Sequence, residues 1–265
     1  MPRRSSKANR TLAYLLLIPA VAGIVVFAYR FTRTTNLFDE DADVTFVRYP
    51  AFGISIPAEY SIHGIDVSHH NKSINWKLVQ QMKVDKIRLG FSFMKATEGL
   101  SFVDNQFARN WRKSRQAGII RGAYHYFIAY KSGKEQAQNF INTVDLGPGD
   151  LPPVLDVETI SGSNVAELQK NALEWLDIVE EYYGVQPLIY TGVDFYEKYL
   201  GDAFDDYPLW VAHYQQLHQP RIARKWMIWQ HNMAGHVNGI QSFVDFNAFN
   251  GDSTDFKKLL IKEKQ

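Results

Sequence analysis

The sequence predicts a closed α/β barrel whose last third is irregular. From Ile62 onward, short apolar runs rich in β-branched and aromatic residues alternate with amphipathic segments. Strands that alternate with helices indicate a parallel sheet. Eight such strands are enough to close the sheet into a barrel, and a chain of 265 residues is long enough to form one.

Eight segments have the composition of buried strands. They are residues 64–67, 86–94, 120–127, 154–157, 188–190, 209–212, 227–230 and 243–246. Helical patterns separate the first five strands and lie at residues 76–82, 104–117, 133–144 and 165–183. Ser163 or Asn164 is the expected cap of the last of these. A short helix at 195–200 follows the fifth strand, and the later connections are short enough for turns or hairpins only. The prediction is therefore five strand–helix units followed by three further strands.

The N-terminal residues 1–30 combine a basic flank with an apolar stretch. Residues 11–29 are uncharged and about long enough for a helix to cross a bilayer. The excess of Arg and Lys before this stretch predicts that the chain after it lies outside the cytoplasm. A cleaved signal peptide is the alternative, with Ala20-Val21-Ala22 as the cleavage site. The apolar run continues to Tyr29, which favours a retained membrane anchor with the domain on the periplasmic or cell-surface side. Cleavage would give a secreted protein.

Residues 31–61 have the character of a linker. The stretch is acidic, contains Pro50 and Pro57, and shows no helical period. Residues 44–47 could still pair as an edge strand. The barrel domain is then expected to occupy residues 62–265.

Composition excludes several classes of site. The chain has no cysteine, which excludes disulfides, thiolate metal sites and a cysteine nucleophile. Its net charge of +1, with no internal run of basic residues, argues against nucleic-acid binding. His69 and His70 are adjacent and lack a third ligand at zinc spacing, so we expect no metal site. Gly99, Gly122 and Gly133 form no phosphate-binding loop, and we expect no organic cofactor.

Polar residues end each predicted strand. In an α/β barrel the carboxyl ends of the strands meet at one rim, where active sites lie. The strand-end residues are Asp66, Lys95, Thr97, Glu98, His125, Tyr126, Asp156, Glu158, Tyr190, His213, Tyr214, Gln230, His231, Asp245 and Asn247. Carboxylates, aromatic rings and amides are thus predicted to converge on one face.

The pair Asp156 and Glu158 is the sharpest of these signals. Side chains two apart on a strand point to the same face, here towards the barrel axis. Two carboxylates so close cannot both ionise freely, so one pKa is raised. A carboxylic acid that keeps its proton near neutral pH can protonate a glycosidic oxygen. The alternative is a strand end with two solvated acids, and Asp66 could likewise be a structural hydrogen-bond acceptor.

Eight short motifs occur in a fixed order along the chain. They are Gly64-Ile65-Asp66-Val67-Ser68, Met94-Lys95-Ala96-Thr97-Glu98-Gly99, Gly122-Ala123-Tyr124-His125-Tyr126-Phe127, Leu155-Asp156-Val157-Glu158, Leu188-Ile189-Tyr190-Thr191, Leu209-Trp210-Val211-Ala212, Ile228-Trp229-Gln230 and Val244-Asp245-Phe246-Asn247. Together they resemble glycoside hydrolase family 25, a family of lysozymes (N-acetylmuramidases). The resemblance runs from about Ile62 to Gly251.

The resemblance implies an irregular barrel that cleaves the β-1,4 bond between N-acetylmuramic acid and N-acetylglucosamine in peptidoglycan. By position, Glu158 matches the family's proton donor and Asp156 its partner, while Asp66 and Asp245 match two further acids of the site. The residues that match the family's glycan groove are Lys95, Glu98, Tyr126, Tyr190, Trp210 and Gln230. One departure occurs after the first motif, where the family often carries Gln-Gly and this chain has His69-His70-Asn71-Lys72.

Several alternatives stay open on sequence alone. Opposite Glu158, either a carboxylate or the substrate's own acetamido group could attack, and the placement of Asp156 on the same strand favours the acetamido route. A non-catalytic protein that binds peptidoglycan, a hydrolase of another amino-sugar polymer such as chitin, and a wall-scaffolding protein are the rival functions. The expected partner is the peptidoglycan glycan strand, and we expect a monomer.

Overall fold

The computed structural model describes residues 45–160, 162–216 and 218–263 and confirms the predicted barrel. Its eight strands are β1 His63–Val67, β2 Ile87–Glu98, β3 Ile120–Tyr126, β4 Val154–Asp156, β5 Leu188–Gly192, β6 Leu209–Ala212, β7 Ile228–Gly235 and β8 Val244–Phe249. Two short strands, Lys83–Val84 and Phe102–Val103, pair with β2 at its ends.

The barrel closes between the first and last strands. Strands β1 to β7 run parallel to one another. Strand β8 lies between β7 and β1 and is antiparallel to both. The carboxyl ends of β1 to β7 therefore share one rim. Because β8 runs the other way, its amino end with Asp245 lies at that same rim, directly across from Asp66 on β1.

Within the described residues, five helices of six residues or more flank the barrel. They are α1 Trp76–Gln81, α2 Phe107–Ala117, α3 Gly133–Thr143, α4 Val165–Tyr183 and α5 Ser253–Leu259. The predicted cap of α4 is confirmed at Asn164, whose side chain accepts the Glu167 N–H at 3.0 Å. The segment predicted as a helix at 195–200 is a longer run of short turns, α at Val193–Phe195, π at Tyr196–Leu200 and 3-10 at Gly201–Phe204.

The start of one helix differs from the prediction, and one further helix was not predicted. Helix α2 starts at Phe107 and not at Asp104, because the Asp104 carboxylate accepts the backbone N–H groups of His69 and Gln106. Helix α5 was not expected. It places Phe256 against the ring of Phe91, with centroids 5.4 Å apart, and so covers one end of the barrel interior.

Large aromatic side chains fill the barrel interior. Phe91 and Phe93 of β2 point inward, and Phe93 stacks on Trp210 of β6 with ring centroids 4.6 Å apart. Glycines on the neighbouring strands make room for them. A Cβ at Gly64 would lie 2.5 Å from the Phe91 ring, and one at Gly122 would lie 2.4 Å from the Phe93 ring. The glycines in these two motifs are therefore packing requirements of the barrel.

A hairpin at residues 46–57 corrects the predicted linker. Its strands, Phe46–Tyr49 and Ile54–Pro57, pair antiparallel. Phe52, between them, is fully buried and lies edge-on to Phe246 of β8 at 5.3 Å, while Phe46 lies edge-on to Trp229 of β7 at 5.8 Å. No helix joins β7 to β8, and the hairpin covers this side of the barrel in its place. The prediction of a linker through residue 61 is therefore wrong for this stretch, which is part of the folded unit.

The membrane prediction falls on residues that the structure does not describe. The expected anchor, residues 11–29, and the first part of the expected linker precede residue 45. Among residues 45–160, 162–216 and 218–263, no helix has both the length and the apolar character needed to cross a bilayer.

Candidate active site

The carboxyl ends of the strands enclose a cleft of about 260 Å³. The residues that line it are Asp66, Ser68, His70, Lys95, Tyr124, Tyr126, Asp156, Glu158, Tyr190, Trp210, Tyr214, Gln230 and Asp245. Of the ten residues predicted for the site, this set contains all except Glu98. Glu98 lies beside the cleft, where its Oε2 accepts a hydrogen bond from Lys95 Nζ at 2.6 Å.

Asp156 and Glu158 reach the same cleft from the end of β4. Asp156 is buried, and its Oδ1 has no hydrogen-bond partner within the described part of the chain. Burial raises the pKa of Asp156 well above its ordinary value, and the charge of Glu158 adds to the effect. Glu158 is exposed at the mouth of the cleft, yet the cleft walls desolvate its carboxyl group and raise its pKa. The nearby Tyr190 hydroxyl and the charge of Lys95 oppose that rise in the pKa.

Asp66 is held by two amide side chains. Its Oδ2 accepts hydrogen bonds from Gln230 Nε2 at 2.8 Å and from Asn247 Nδ2 at 2.7 Å. On its other side, Gln230 Oε1 accepts from the hydroxyl groups of Tyr190, at 2.7 Å, and Tyr214. Burial raises the pKa of Asp66 to about 6, although the two amide donors favour its charged form. Four strands thus fix one carboxyl group at the base of the cleft.

Asp245 completes a cluster of four carboxyl groups. Burial raises its pKa to about 8, and the charges of Asp66 and Glu158 act in the same direction. Carboxyl groups this close titrate as a set, so some members keep their protons near neutral pH. The cleft therefore contains both proton donors and ionised acids, which is the pairing that acid-catalysed glycoside cleavage uses.

The aromatic residues predicted to line a glycan groove have different positions. Tyr126 forms part of the wall, and Lys95 Nζ lies 4.7 Å from its ring centroid. Trp210 lies on the floor, only 1% exposed, and its Nε1–H donates to Asn247 Oδ1 at 2.8 Å. Trp210 therefore orients Asn247, and through it Asp66, while Tyr126 offers its ring at the wall.

The loop that departs from the family motif forms another wall. Asp104 Oδ2 lies 2.7 Å from His69 Nδ1 and so fixes the His69 ring. His70 lines the cleft and lies against His69, with ring centroids 4.0 Å apart. Asn71 Nδ2 donates to Ser242 Oγ and to the Phe243 carbonyl, both at 3.0 Å, which ties this loop to the one before β8. Across the residues described, no three His, Asp or Glu side chains are grouped to hold a metal ion.

Three residues outside the ten predicted site residues also form the site; Tyr214 and Asn247 were predicted only as strand-end groups at the rim, and Tyr124 was not predicted. Tyr124 and Tyr214 line the cleft, and Asn247 bonds to Asp66. Alternation along the strand could have found two of them, because Tyr124 is two residues from Tyr126 and Asn247 two residues from Asp245. The same alternation turns His125 away from the cleft, where it bonds to Thr97 Oγ1 at 2.7 Å and packs on Trp175.

Comparison with known proteins gives consistent relatives. A sequence model of the family described as Glycosyl hydrolases family 25 matches residues 65–240. The uncharacterized protein YegX of Escherichia coli O6:H1 is 44% identical over 260 residues, covering 94% of this chain and 96% of that protein. Lysozyme M1 of Streptomyces globisporus is 33% identical over 214 residues, covering 74% of this chain and 71% of that protein.

A solved structure shares the architecture. A family 25 glycosyl hydrolase from Bacillus anthracis superposes with a TM-score of 0.71 at 28% sequence identity. The match covers 81% of this chain and 100% of that one. The hairpin at 46–57 lies outside the residues that the family model matches.

Proposed function

Because the chain belongs to glycosyl hydrolases family 25, we propose that it cleaves the β-1,4 bond between N-acetylmuramic acid and N-acetylglucosamine in peptidoglycan. The observation that carries the proposal is the cluster of four carboxyl groups with raised pKa values around one cleft. A relative named as a lysozyme supports the choice of polymer.

In this proposal Glu158 is the general acid. It is the cluster member at the mouth of the cleft, where a glycosidic oxygen can reach it, and its raised pKa keeps a proton available. The Tyr190 hydroxyl orients the carboxyl group, and Lys95 stabilises the carboxylate that remains once the proton has left. A positive charge near the developing carboxylate stabilises it and so lowers the free-energy barrier to proton transfer.

On the other face of the sugar, the nucleophile in this proposal is the substrate's own acetamido group. Asp156 supports this route, since its buried Oδ1 has no partner within the described chain and can accept an amide N–H. The acetamido oxygen would then attack the anomeric carbon as the bond to the leaving oxygen breaks. A thiazoline analogue of the cyclised intermediate should bind the protein, and Asp156→Asn should weaken that binding. Undiminished binding by the variant would favour a carboxylate nucleophile.

The decisive experiment is digestion of purified peptidoglycan by the full chain, with mass spectrometry of the released fragments. We expect fragments with reducing N-acetylmuramic acid ends, and a loss of at least about 100-fold in rate for Glu158→Gln. Glu167→Gln, on the outer helix α4, is the matched control and should keep full activity. Sedimentation with the glycan but without new reducing ends would favour a binding protein. Equal cleavage of chitin oligomers would favour a broader amino-sugar hydrolase.

We also propose that residues 11–29 anchor the barrel outside the cytoplasm, as a monomer. The apolar stretch and its basic flank support the anchor. Resistance to carbonate extraction, together with protease access to the barrel in cells whose cytoplasmic membrane is intact, would test the placement. Sedimentation velocity in detergent would test the monomer.

A further inference from the structure

Positive charge is concentrated on one side of the barrel. Helix α2 carries Arg109, Arg112, Lys113 and Arg115 and no acidic residue. Helix α1 adds Lys77, and the segment that leads into β2 adds Lys83, Lys86 and Arg88, with Asp85 as its one acid. These eight cations form what we term the basic face.

The side two to three strands further around the barrel is acidic. Helix α4 carries five carboxylates and one lysine. Residues 193–206, after β5, also carry five carboxylates and one lysine. Since the whole chain has a net charge of only +1, the two sides together make an electric dipole across the barrel.

The cations of the basic face have no acidic partners. Within the residues that the structure describes, none of the eight forms an ion pair. Between α1 and α2 they border a groove of about 650 Å³ that includes Lys77, Arg109 and Lys113 and no carboxylate. Arg109 is held there by a hydrogen bond from its Nη1 to the Ile74 carbonyl at 3.2 Å. Cations and amide groups around a groove without acids favour a phosphate group as its occupant.

The turn of the N-terminal hairpin is linked to the basic face. The hairpin at 46–57 is joined to α1 through the loop at 236–240. The Phe52 carbonyl accepts the His236 N–H at 2.8 Å, and the Gly239 carbonyl accepts the Asn75 N–H at 2.9 Å, just before α1. A bilayer rich in anionic phospholipid presents many phosphates in one plane and so complements the cations of the basic face and the groove that they border.

We propose that the basic face rests on an anionic phospholipid surface, with lipid phosphates in the groove between α1 and α2. Each Lys or Arg near an anionic leaflet strengthens association by about fivefold, so three or four of them suffice to orient the barrel. The acidic side then faces away from the lipid. The cleft opens at the rim of the barrel and so stays free to admit a glycan strand that runs along the membrane.

The absence of cysteine from the chain allows a direct test. Gln116→Cys places a donor fluorophore at the end of α2, and Gln186→Cys places one beyond α4, both at exposed glutamines. Energy transfer to an acceptor on lipid head groups is measured for the full chain with vesicles of phosphatidylglycerol and phosphatidylcholine, or of phosphatidylcholine alone. Anionic lipid should raise transfer from position 116 by about twofold or more over that from position 186. High salt should abolish the difference.

A charge-matched pair of variants completes the test. Arg112→Glu with Lys113→Glu should remove the preference of position 116 for anionic vesicles. Lys170→Glu with Lys198→Glu changes the net charge equally on the acidic side and should keep it. Equal transfer from both probes with anionic lipid, or loss of the preference in both double variants, would overturn the proposal. Because the readout compares two lipids and needs no glycan, a failure of the hydrolytic function would not produce either result.

Discussion

Asp66 and Asp245 occupy the same register position on neighbouring antiparallel strands, so two carboxyl groups stand directly opposite each other in the cleft. Like charges in such a cross-strand pair destabilise a sheet. Two features reduce this repulsion. Gln230 and Asn247 donate hydrogen bonds to Asp66, and Asp245 retains a proton. The pair therefore links the stability of the barrel to the protonation state of its site.

Asp245→Asn should make the protein more stable at pH 8. The pKa of Asp245 is about 8 in the fold, raised from 3.8 by burial and then by Asp66 and Glu158. Between these values the unfolded chain binds fewer protons than the native state, so the free energy of unfolding falls as pH rises. The variant should lose this dependence on pH, and its free energy of unfolding at pH 8 should be higher by about 1–3 kcal/mol. Urea denaturation from pH 4 to 8 measures both.

The control for that slope is Asp255→Asn. Asp255 is exposed, and a hydrogen bond from Lys258 lowers its pKa from the ordinary 3.8, so above about pH 5 it is ionised in both the folded and the unfolded state. Its replacement should leave the slope unchanged. Identical slopes for Asp245→Asn and the wild type would contradict a protonated Asp245.

Asn247→Leu should lower the free energy of unfolding and shift the pH profile of activity. The substitution leaves the buried Trp210 Nε1–H without its acceptor and removes one of the two donors to Asp66. Loss of these bonds should cost about 1–3 kcal/mol of unfolding free energy. It should also raise the pKa of Asp66 and so move the acid limb of the rate profile towards higher pH. Asn232→Leu, on the same sheet but bonded only to the Ala234 backbone, should leave the profile unmoved.

The sequence predicted the strands and most of the cleft for a clear physical reason. Buried strands of β-branched and aromatic residues must end in polar groups, and closure brings those ends together. Alternation along each strand then selects the inward side chains, as for Asp156 and Tyr190. Order along the chain was enough here because β1 to β7 share one direction.

Contacts between distant segments were beyond such reasoning. The hairpin around Phe52 has two prolines and acidic neighbours, so local composition favours a linker, and only the bare outer faces of β7 and β8 explain its folding. Likewise, Asp104 has the place of a helix-start residue in the sequence, but it holds His69 from a loop 35 residues away. Tertiary demand overrides the local signal in both cases.

Lys72→Gly should stabilise the protein. Lys72 ends the helical turn after Ser68 with φ 55° and ψ −140°, a backbone region that costs a non-glycine residue about 1–3 kcal/mol. Glycine relieves the strain but loses more chain entropy on folding, so the net gain should be about 1 kcal/mol, seen as a higher Tm. Lys77→Gly, at the second residue of α1, is the control and should cost up to about 1 kcal/mol. Equal destabilisation by both changes would contradict a strained Lys72.

Phe52→Ala should reveal that the hairpin belongs to the barrel core. Phe52 is fully buried against Phe246, and truncation of a buried phenylalanine costs about 3–5 kcal/mol. Val47→Ala, on the same hairpin but 39% exposed, should cost far less. Urea denaturation measures both. If unfolding of the Phe52 variant matched that of the wild type, the hairpin would have to be an independent appendage.

His231→Phe should flatten the loss of stability in acid. Burial lowers the pKa of His231 from 6.5 to about 3, and the ring nitrogens have no hydrogen-bond partner among the residues described. Below pH 6.5 this histidine binds a proton in the unfolded chain but not in the folded state, so the free energy of unfolding decreases as pH falls from 6.5 towards 3. His63 and His125, with pKa values lowered to about 4 and about 3, act in the same direction. Removal of one imidazole should reduce the slope by about 1.4 kcal/mol per pH unit between pH 6 and 4. The carboxyl groups contribute equally to both proteins and cancel in the difference.

The exposed His236 gives the matched control, and His236→Phe should retain the wild-type slope in urea denaturation followed by tryptophan fluorescence. An unchanged slope for His231→Phe would mean that this imidazole accepts a proton within the folded barrel.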